Sequence, residues 1–217
     1  MNLKNKTVAF LGDSITAGSA ASSEKKIFHQ VIKADLGLKD ALNYGVGGTR
    51  IAPRHDKEHD AYPEYFQLRA EKIPLGVDYV FVFGGTNDYG HGDCAIGTVG
   101  DEGTDTFCGS VDTLFKMLIK KFGKEKIIVM TPIHRKNDES PFGEGTRENG
   151  APLKVFAEKI KEIAEGCGLR VIDLFNDETL NPNDDELNKK YFADGLHPND
   201  EGHNLLAKKI EKAISAI

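Results

Sequence analysis

Two short stretches at opposite ends of the chain hold residue types suited to acyl chemistry, Gly12-Asp13-Ser14 and Asp194-Gly195-Leu196-His197. A serine hydroxyl at its ordinary pKa is a poor nucleophile, so it needs a base, and the base needs an orienting group. His197 supplies the base. Asp194, three residues earlier, falls on the same turn, where its carboxylate can hold the ring nitrogen that faces away from the serine. Each stretch is unspecific alone; together and in this order they pose Ser14 as a nucleophile. Acyl transfer also needs donors for the oxygen that becomes negative in the tetrahedral intermediate. Gly47-Gly48 lets a backbone N–H approach a substrate because no Cβ obstructs it, Asn87 offers a side-chain amide, and the Ser14 N–H makes a third donor.

These residues depend on the elements that carry them. Thr7 to Leu11 is an apolar run of strand formers that stops at the turn pair Gly12-Asp13, so Ser14 falls just past a buried strand. Ile15 to Ser23 reads as a small polar loop. Ser22 or Ser23 then caps a helix carrying Ile27, Phe28, Val31, Ile32 and Leu36, with Gly37 as its stop. A second strand spans roughly Ala41 to Tyr44 and runs into Gly45-Val46-Gly47-Gly48-Thr49. Ile51 to Pro74 is charged and aromatic, with a helix near Tyr65 to Lys72. Tyr79 to Phe83 is apolar on both faces, as a central parallel strand should be, and ends in Gly84-Gly85-Thr86-Asn87-Asp88.

A Gly-rich loop continues to about Gly109. Val111, Leu114, Phe115, Leu118, Ile119 and Phe122 then repeat at helical spacing. Ile127 to Met130 is a fourth strand, and His134 to Gly150 a polar loop. A second amphipathic helix runs from Leu153 through Ala164, Arg170 to Leu174 is the fifth strand, and Asn199 caps a last helix bearing Leu205, Leu206, Ile210, Ala213 and Ile214. Strand and helix alternate without linker or repeat. That predicts one α/β domain over residues 1–217, a parallel sheet covered on both faces. Ser14, Gly45 to Thr49, Thr86 to Asp88 and the loop after Pro132 all leave C-terminal strand ends, the edge where such sheets bind ligands.

The 217 residues are 39% hydrophobic and 29% charged with a net charge of −6, which argues against disorder and against a nucleic-acid surface. No apolar run approaches the roughly 18 residues of a membrane span. The N-terminal residues do not read as a signal peptide, so a cytoplasmic protein is expected, although a secreted chain stripped of its leader would read the same. Cys94, Cys108 and Cys167 are expected to be separate thiols, with a Cys94–Cys108 bridge as the exported alternative. His55 and His59 stand four apart as metal ligands would, but Arg54, Lys57 and Glu58 surround them and a solvated charged segment is expected. His91, Cys94 and Cys108 match no zinc spacing. Neither a metal nor another cofactor is expected. His29 and His203 are read as structural or surface residues.

The sequence resembles the SGNH hydrolases, the GDSL esterases and lipases, in four blocks that span nearly the whole chain in order: Gly12-Asp13-Ser14, Asn43 through Gly48, Gly85-Thr86-Asn87-Asp88, and Asp194-Gly195-Leu196-His197-Pro198. Ile15 stands where the GDSL label has Leu, a swap without chemical consequence. The resemblance implies a flavodoxin-like three-layer α/β/α sandwich with a five-stranded parallel sheet. It implies Ser14 as nucleophile, His197 as base, Asp194 as orienter, and an oxyanion hole from the Ser14 and Gly48 amides and the Asn87 side chain. No Gly-x-Ser-x-Gly elbow occurs, which removes the main support for an α/β-hydrolase.

A small-molecule ester is therefore the expected partner, and a homo-oligomer is compatible with the sequence. The two long loops are polar and Gly-rich, unlike a lipid-binding lid, and favour a short acyl group on a polar alcohol such as an acetylated sugar. Asp13, Arg50 and Tyr89 are the candidate substrate contacts; Arg54, Arg135 and Arg147 are further cations, and Tyr62, Tyr65 and Phe142 further aromatic platforms in a chain without Trp. The same triad would also serve a lysophospholipase, a thioesterase or an acyltransferase. A metal-dependent phosphoesterase and a non-catalytic carbohydrate-binding module are the alternatives of other classes. The first lacks the Asp-x-His and Gly-Asn-His elements of dinuclear sites, and the second would have no use for Ser14 and His197 together.

Overall fold

Along the first strand, successive side chains enter two different cores. Val8 and Phe10 pack on one side of the sheet, Ala9 and Leu11 on the other, and all four are buried. The computed structural model describes residues 1–216 other than 57, 59, 142 and 144–149, so His59, Phe142 and Arg147 lie outside the described residues. Five strands, β1 (Thr7–Gly12), β2 (Asp40–Gly45), β3 (Tyr79–Phe83), β4 (Ile127–Met130) and β5 (Arg170–Ile172), form one sheet in the order β2-β1-β3-β4-β5. Every pairing is parallel. The helices are α1 (Ser14–Ala17), α2 (Phe28–Leu36), α3 (Phe66–Lys72), α4 (Thr86–His91), α5 (Phe107–Phe122), α6 (Leu153–Gly166), α7 (Asp185–Tyr191) and α8 (Asp200–Ala216).

Helices α3, α5 and α6 cover one face, where Phe66, Leu114, Phe115, Phe156 and Ile160 meet Ala9, Leu11, Val80 and Val82. Helices α2 and α8 cover the other, where Phe28, Ile32, Leu206 and Ile210 meet Val8, Phe10, Phe81 and Phe83. This is the expected three-layer sandwich. No helix among the described residues is long and apolar enough to cross a membrane.

The register levels the strand ends. Gly12 stands beside both Gly45 and Phe83, Phe83 beside Met130, and Met130 beside Ile172. The loops after β1, β2, β3 and β4 therefore leave from one edge. The chain winds outward from β1 to β2 on one side and from β3 to β5 on the other, so the crevice falls between β1 and β3.

The expectations that differ concern short elements. Ile15 to Ser23 does not form a simple loop: α1 begins at Ser14, where the Asp13 carboxylate accepts from the Ile15 N–H, and Gly18 ends it in a left-handed conformation. Thr86 to His91 is helical rather than loop, entered through Gly85 at φ 107°. Helices of one or two turns are specified by their end residues and show too few positions for a periodic pattern. Helix α5 starts at Phe107 because the Thr106 hydroxyl accepts from the Gly109 N–H. Helix α7 lies within the polar segment after β5, capped by Asp184. Neither Ser22 nor Ser23 caps α2, which begins after Ile27; the Ser22 hydroxyl instead donates to Asp200 at 2.6 Å.

His29 and His203 are both fully buried. Their Nε2 atoms face the carbonyls of Thr16 and Ser19, at 3.1 and 3.5 Å, and so hold the segment that follows Ser14. Burial pulls each imidazole down to about 4. The unfolded chain takes up these protons near pH 6.5 and the folded chain only near pH 4, so stability falls as pH drops through that window. Urea titrations at pH 7 and pH 4.5 should show the wild type losing about 2 kcal/mol more than His203→Gln over that step.

Candidate active site

Ser14 opens α1 directly past the end of β1, and the turn that places it is built by its neighbour. Asp13 is buried, with one carboxylate oxygen 3.0 Å from the Ile15 N–H. Burial pushes its carboxyl up to about 6, against the opposing pull of the Ile15 hydrogen bond and the Arg69 charge. The sequence made Asp13 a candidate substrate contact. Its carboxylate instead serves the turn from inside the protein.

The Ser14 hydroxyl lies 2.9 Å from His197 Nε2, and His197 Nδ1 lies 2.7 Å from Asp194 Oδ2. Asp194 fixes its own turn as well: Oδ1 accepts from the backbone N–H groups of Leu196 at 3.0 Å and His197 at 2.7 Å. Gly195 takes φ 82°, a left-handed position that favours glycine. Burial works against charge on Asp194, but its bonds from the His197 ring and these backbone groups outweigh it and hold the carboxyl below its ordinary range. The carboxylate thus stays charged wherever the imidazole must be oriented. The turn is tied to the loop after β4, where the Lys136 N–H donates to the Gly195 carbonyl at 2.7 Å.

The loop after β2 passes close to the serine. A Cβ built on Gly47 would stand 3.7 Å from the Ser14 Cβ, and Gly48 takes φ 72°. Asn87, in the first turn of α4, donates one amide hydrogen to the Thr49 carbonyl at 2.9 Å, which leaves the second for another acceptor. Asp88 braces the same loop, its two oxygens accepting from the N–H groups of Ala52 at 2.8 Å and Ile51 at 3.0 Å. Backbone amides beside a hydroxyl–imidazole–carboxylate line can stabilise an oxyanion as the hydroxyl attacks a carbonyl.

Two candidate substrate contacts are corrected by their surroundings. Arg50 is fully buried, and its guanidinium grips both Asp60 oxygens at 2.6 and 2.7 Å and donates to His91 Nδ1 at 3.2 Å. Tyr89 is buried, with its hydroxyl directed at the carbonyls of Asn137 and Ser140. Of the other cations, Arg54 pairs with Asp93 at 3.4 Å, and Arg135 is buried with a bond to the Thr86 carbonyl. No disulfide joins Cys94, Cys108 and Cys167, which are separate thiols as expected. His55, Asp93 and Cys94 bring ligand-type atoms within 4.8 Å of one another. Asp93 there accepts from the backbone of His55 and Asp56, and the Cys94 thiol donates to the Pro53 carbonyl.

Sequence reasoning missed Arg69. It lies in α3, inside a segment that reads as charged and aromatic, and it is 2% exposed. Its guanidinium donates to the Gly12 carbonyl at 2.6 Å, the Tyr44 carbonyl, the Thr49 hydroxyl at 2.7 Å and the Glu64 carbonyl at 2.9 Å. Burial lowers its pKa to about 10, so it remains charged at neutral pH. A second miss is His134, buried with Nδ1 2.6 Å from Asp138 and pulled upward by that carboxylate in spite of burial. Arg69 has no sequence signal beyond residue type, because its partners Thr49, Tyr44 and Gly12 lie 20, 25 and 57 positions away; His134 and Asp138 stand only four apart, inside a segment that reads as polar loop. Arg69→Met should lower the free energy of unfolding by about 3 kcal/mol or more, and Arg69→Lys by less, in urea titrations.

Comparison with known proteins bears on the family and the fold. The model of the GDSL-like lipase/acylhydrolase family matches residues 10–205. A solved protein from Lactobacillus plantarum is 27% identical, with a TM-score of 0.83 over 98% of both chains. A lipase/acylhydrolase from Enterococcus faecalis is 23% identical, with a TM-score of 0.68 over 97% of this chain and 96% of its own. A two-domain esterase active on acetylated mannans is 20% identical, with a TM-score of 0.61 over 99% of this chain and 50% of its own. Comparison with curated proteins finds no significant match. A match over residues 10–205 takes in the strand ends, the glycine loop and the Asp194–His197 turn alike, and the chain belongs to the GDSL-like lipase/acylhydrolase family of carboxylic ester hydrolases.

Proposed function

We propose that the protein is a serine esterase that removes a short acyl group, acetyl above all, from a polar alcohol such as a carbohydrate. The observation that carries the reaction is the unbroken line from Ser14 Oγ to His197 Nε2 at 2.9 Å and from His197 Nδ1 to Asp194 at 2.7 Å. Ser14 attacks the ester carbonyl while His197 takes its proton. The oxygen that becomes negative is met by the Ser14 and Gly48 amides and by the free hydrogen of the Asn87 amide. His197 then returns the proton to the departing alcohol, leaving Ser14 acylated. Water, deprotonated by His197, attacks the acyl-enzyme and restores the serine.

The choice of a short acyl group rests on surface character. A long chain needs a broad apolar face, and among the described residues the exposed large apolar side chains on the loops beside Gly48 are Val46 and Tyr62. The esterase active on acetylated mannans shares the fold and supports the substrate class by analogy only.

Ser14→Ala should lose at least about 1,000-fold in kcat for p-nitrophenyl acetate and should no longer be labelled by a fluorophosphonate, with its urea midpoint unchanged. Turnover retained in that variant would remove the mechanism. On a panel of p-nitrophenyl esters, kcat/KM should fall steadily from acetate to decanoate; a preference for the long chain would overturn the polar-substrate reading.

A further inference from the structure

Tyr62 is exposed, yet it is held in place beside the reaction centre by buried groups. Three atoms of its ring lie within 2.6 Å of where a Cβ on Gly48 would stand, so the ring packs directly on that glycine. Gly47, one residue earlier, passes Ser14 closely enough that its own Cβ would touch the serine side chain at 3.7 Å. The ring therefore borders the loop that offers the Gly48 amide to the oxyanion. Its outer surface remains open, with the residue 44% exposed.

The anchorage beneath it is out of proportion to an incidental surface residue. Asp60 accepts from the Tyr62 backbone N–H at 3.0 Å with the same carboxylate that Arg50 grips at 2.6 and 2.7 Å. In that pair Arg50 is wholly inaccessible and the Asp60 side chain is 7% exposed. Arg50 also donates to His91, whose ring lies 5.5 Å from the Tyr62 ring at 42°. Nη2 of Arg50 meets both Asp60 oxygens, and a pair so buried holds its geometry, since either partner left alone would be a desolvated charge. Here it fixes an aromatic ring at the rim of the site.

We infer that Tyr62 is the platform on which the alcohol part of the ester stacks, and that this alcohol is a pyranose ring. The inference rests on the esterase reading above and narrows its substrate. A tyrosine ring gives the C–H face of a sugar a flat apolar surface, and its hydroxyl edge stays in water. Holding the ring in advance removes the ordering cost that a mobile side chain would impose on binding. The Arg50 guanidinium, expected to meet substrate itself, contributes by positioning this ring.

The test compares kcat/KM for monoacetylated xylo- and manno-oligosaccharides with that for ethyl acetate, which has no ring to stack. In Tyr62→Ala the ratio of saccharide to ethyl acetate should fall about tenfold, mainly through KM for the saccharide, and Tyr62→Phe, which keeps the ring, should restore it. Equal losses on both substrates would show a ring that only braces Gly48, and an unchanged ratio would show no contact at all; either result overturns the platform while leaving the esterase intact. A wild-type enzyme that turns over ethyl acetate but no acetylated saccharide would overturn the carbohydrate reading and the platform with it.

Discussion

The site depends on one buried cation. The Arg69 guanidinium donates to the carbonyl of Gly12, at the end of β1, to that of Tyr44 in β2, and to the hydroxyl of Thr49 in the glycine loop. Those groups belong to the segment that leads into Ser14 and to the segment that carries Gly48. A planar fork with several N–H groups can join carbonyls that point in different directions, which a lysine ammonium on its flexible stem does less well. Burying that charge is costly, and the carbonyl ring together with the nearby Asp13 carboxyl offsets the cost. Ser14 and the glycine loop are thereby held in fixed relative positions, and in the proposed reaction this is the condition under which fixed dipoles contribute most to an acyl-transfer barrier.

Around that centre the sheet does the coarse positioning and local bonds do the fine. Parallel pairing with level ends sends four loops out of one edge, within reach of each other. Asp88 then holds Ile51 and Ala52, Asn87 holds Thr49, and the Lys136 amide holds Gly195. On the far side, His29 and His203 hold the carbonyls after Ser14 as neutral donors. These contacts mostly run from a side chain to a backbone group, so they fix the chain path and leave the reacting atoms for substrate.

The polar rim bears on what enters. Cations that read as available for an anionic or sugar ligand are largely spoken for: Arg50 by Asp60, Arg54 by Asp93, Arg135 by the Thr86 carbonyl. What these pairs leave at the surface beside Gly48 is an aromatic ring. Recognition by stacking on a fixed ring suits a neutral, polar alcohol better than a carboxylate or phosphate would.

The sequence by itself determined the layers and the local pairing of Asp194 with His197. Strands such as Tyr79–Phe83 are apolar on both faces and helices such as α6 are apolar on one, so burial alone dictates a sheet between helices. Ser14, Asp194 and His197 are legible for a related reason: each sits at a strand end or tight turn whose residue types are few, and the Asp–His pairing is local. Only the tertiary structure decided which charged residues go inside. Arg50, Arg69 and His203 carry the same letters as surface residues, and nothing near them in sequence announces Asp60, Gly12 and Ser19, which lie 10, 57 and 184 positions away. Burial of a charge is a property of the partners that compensate it. Those partners are brought together by the fold, after the chain's local preferences have been spent on strands, helices and turns.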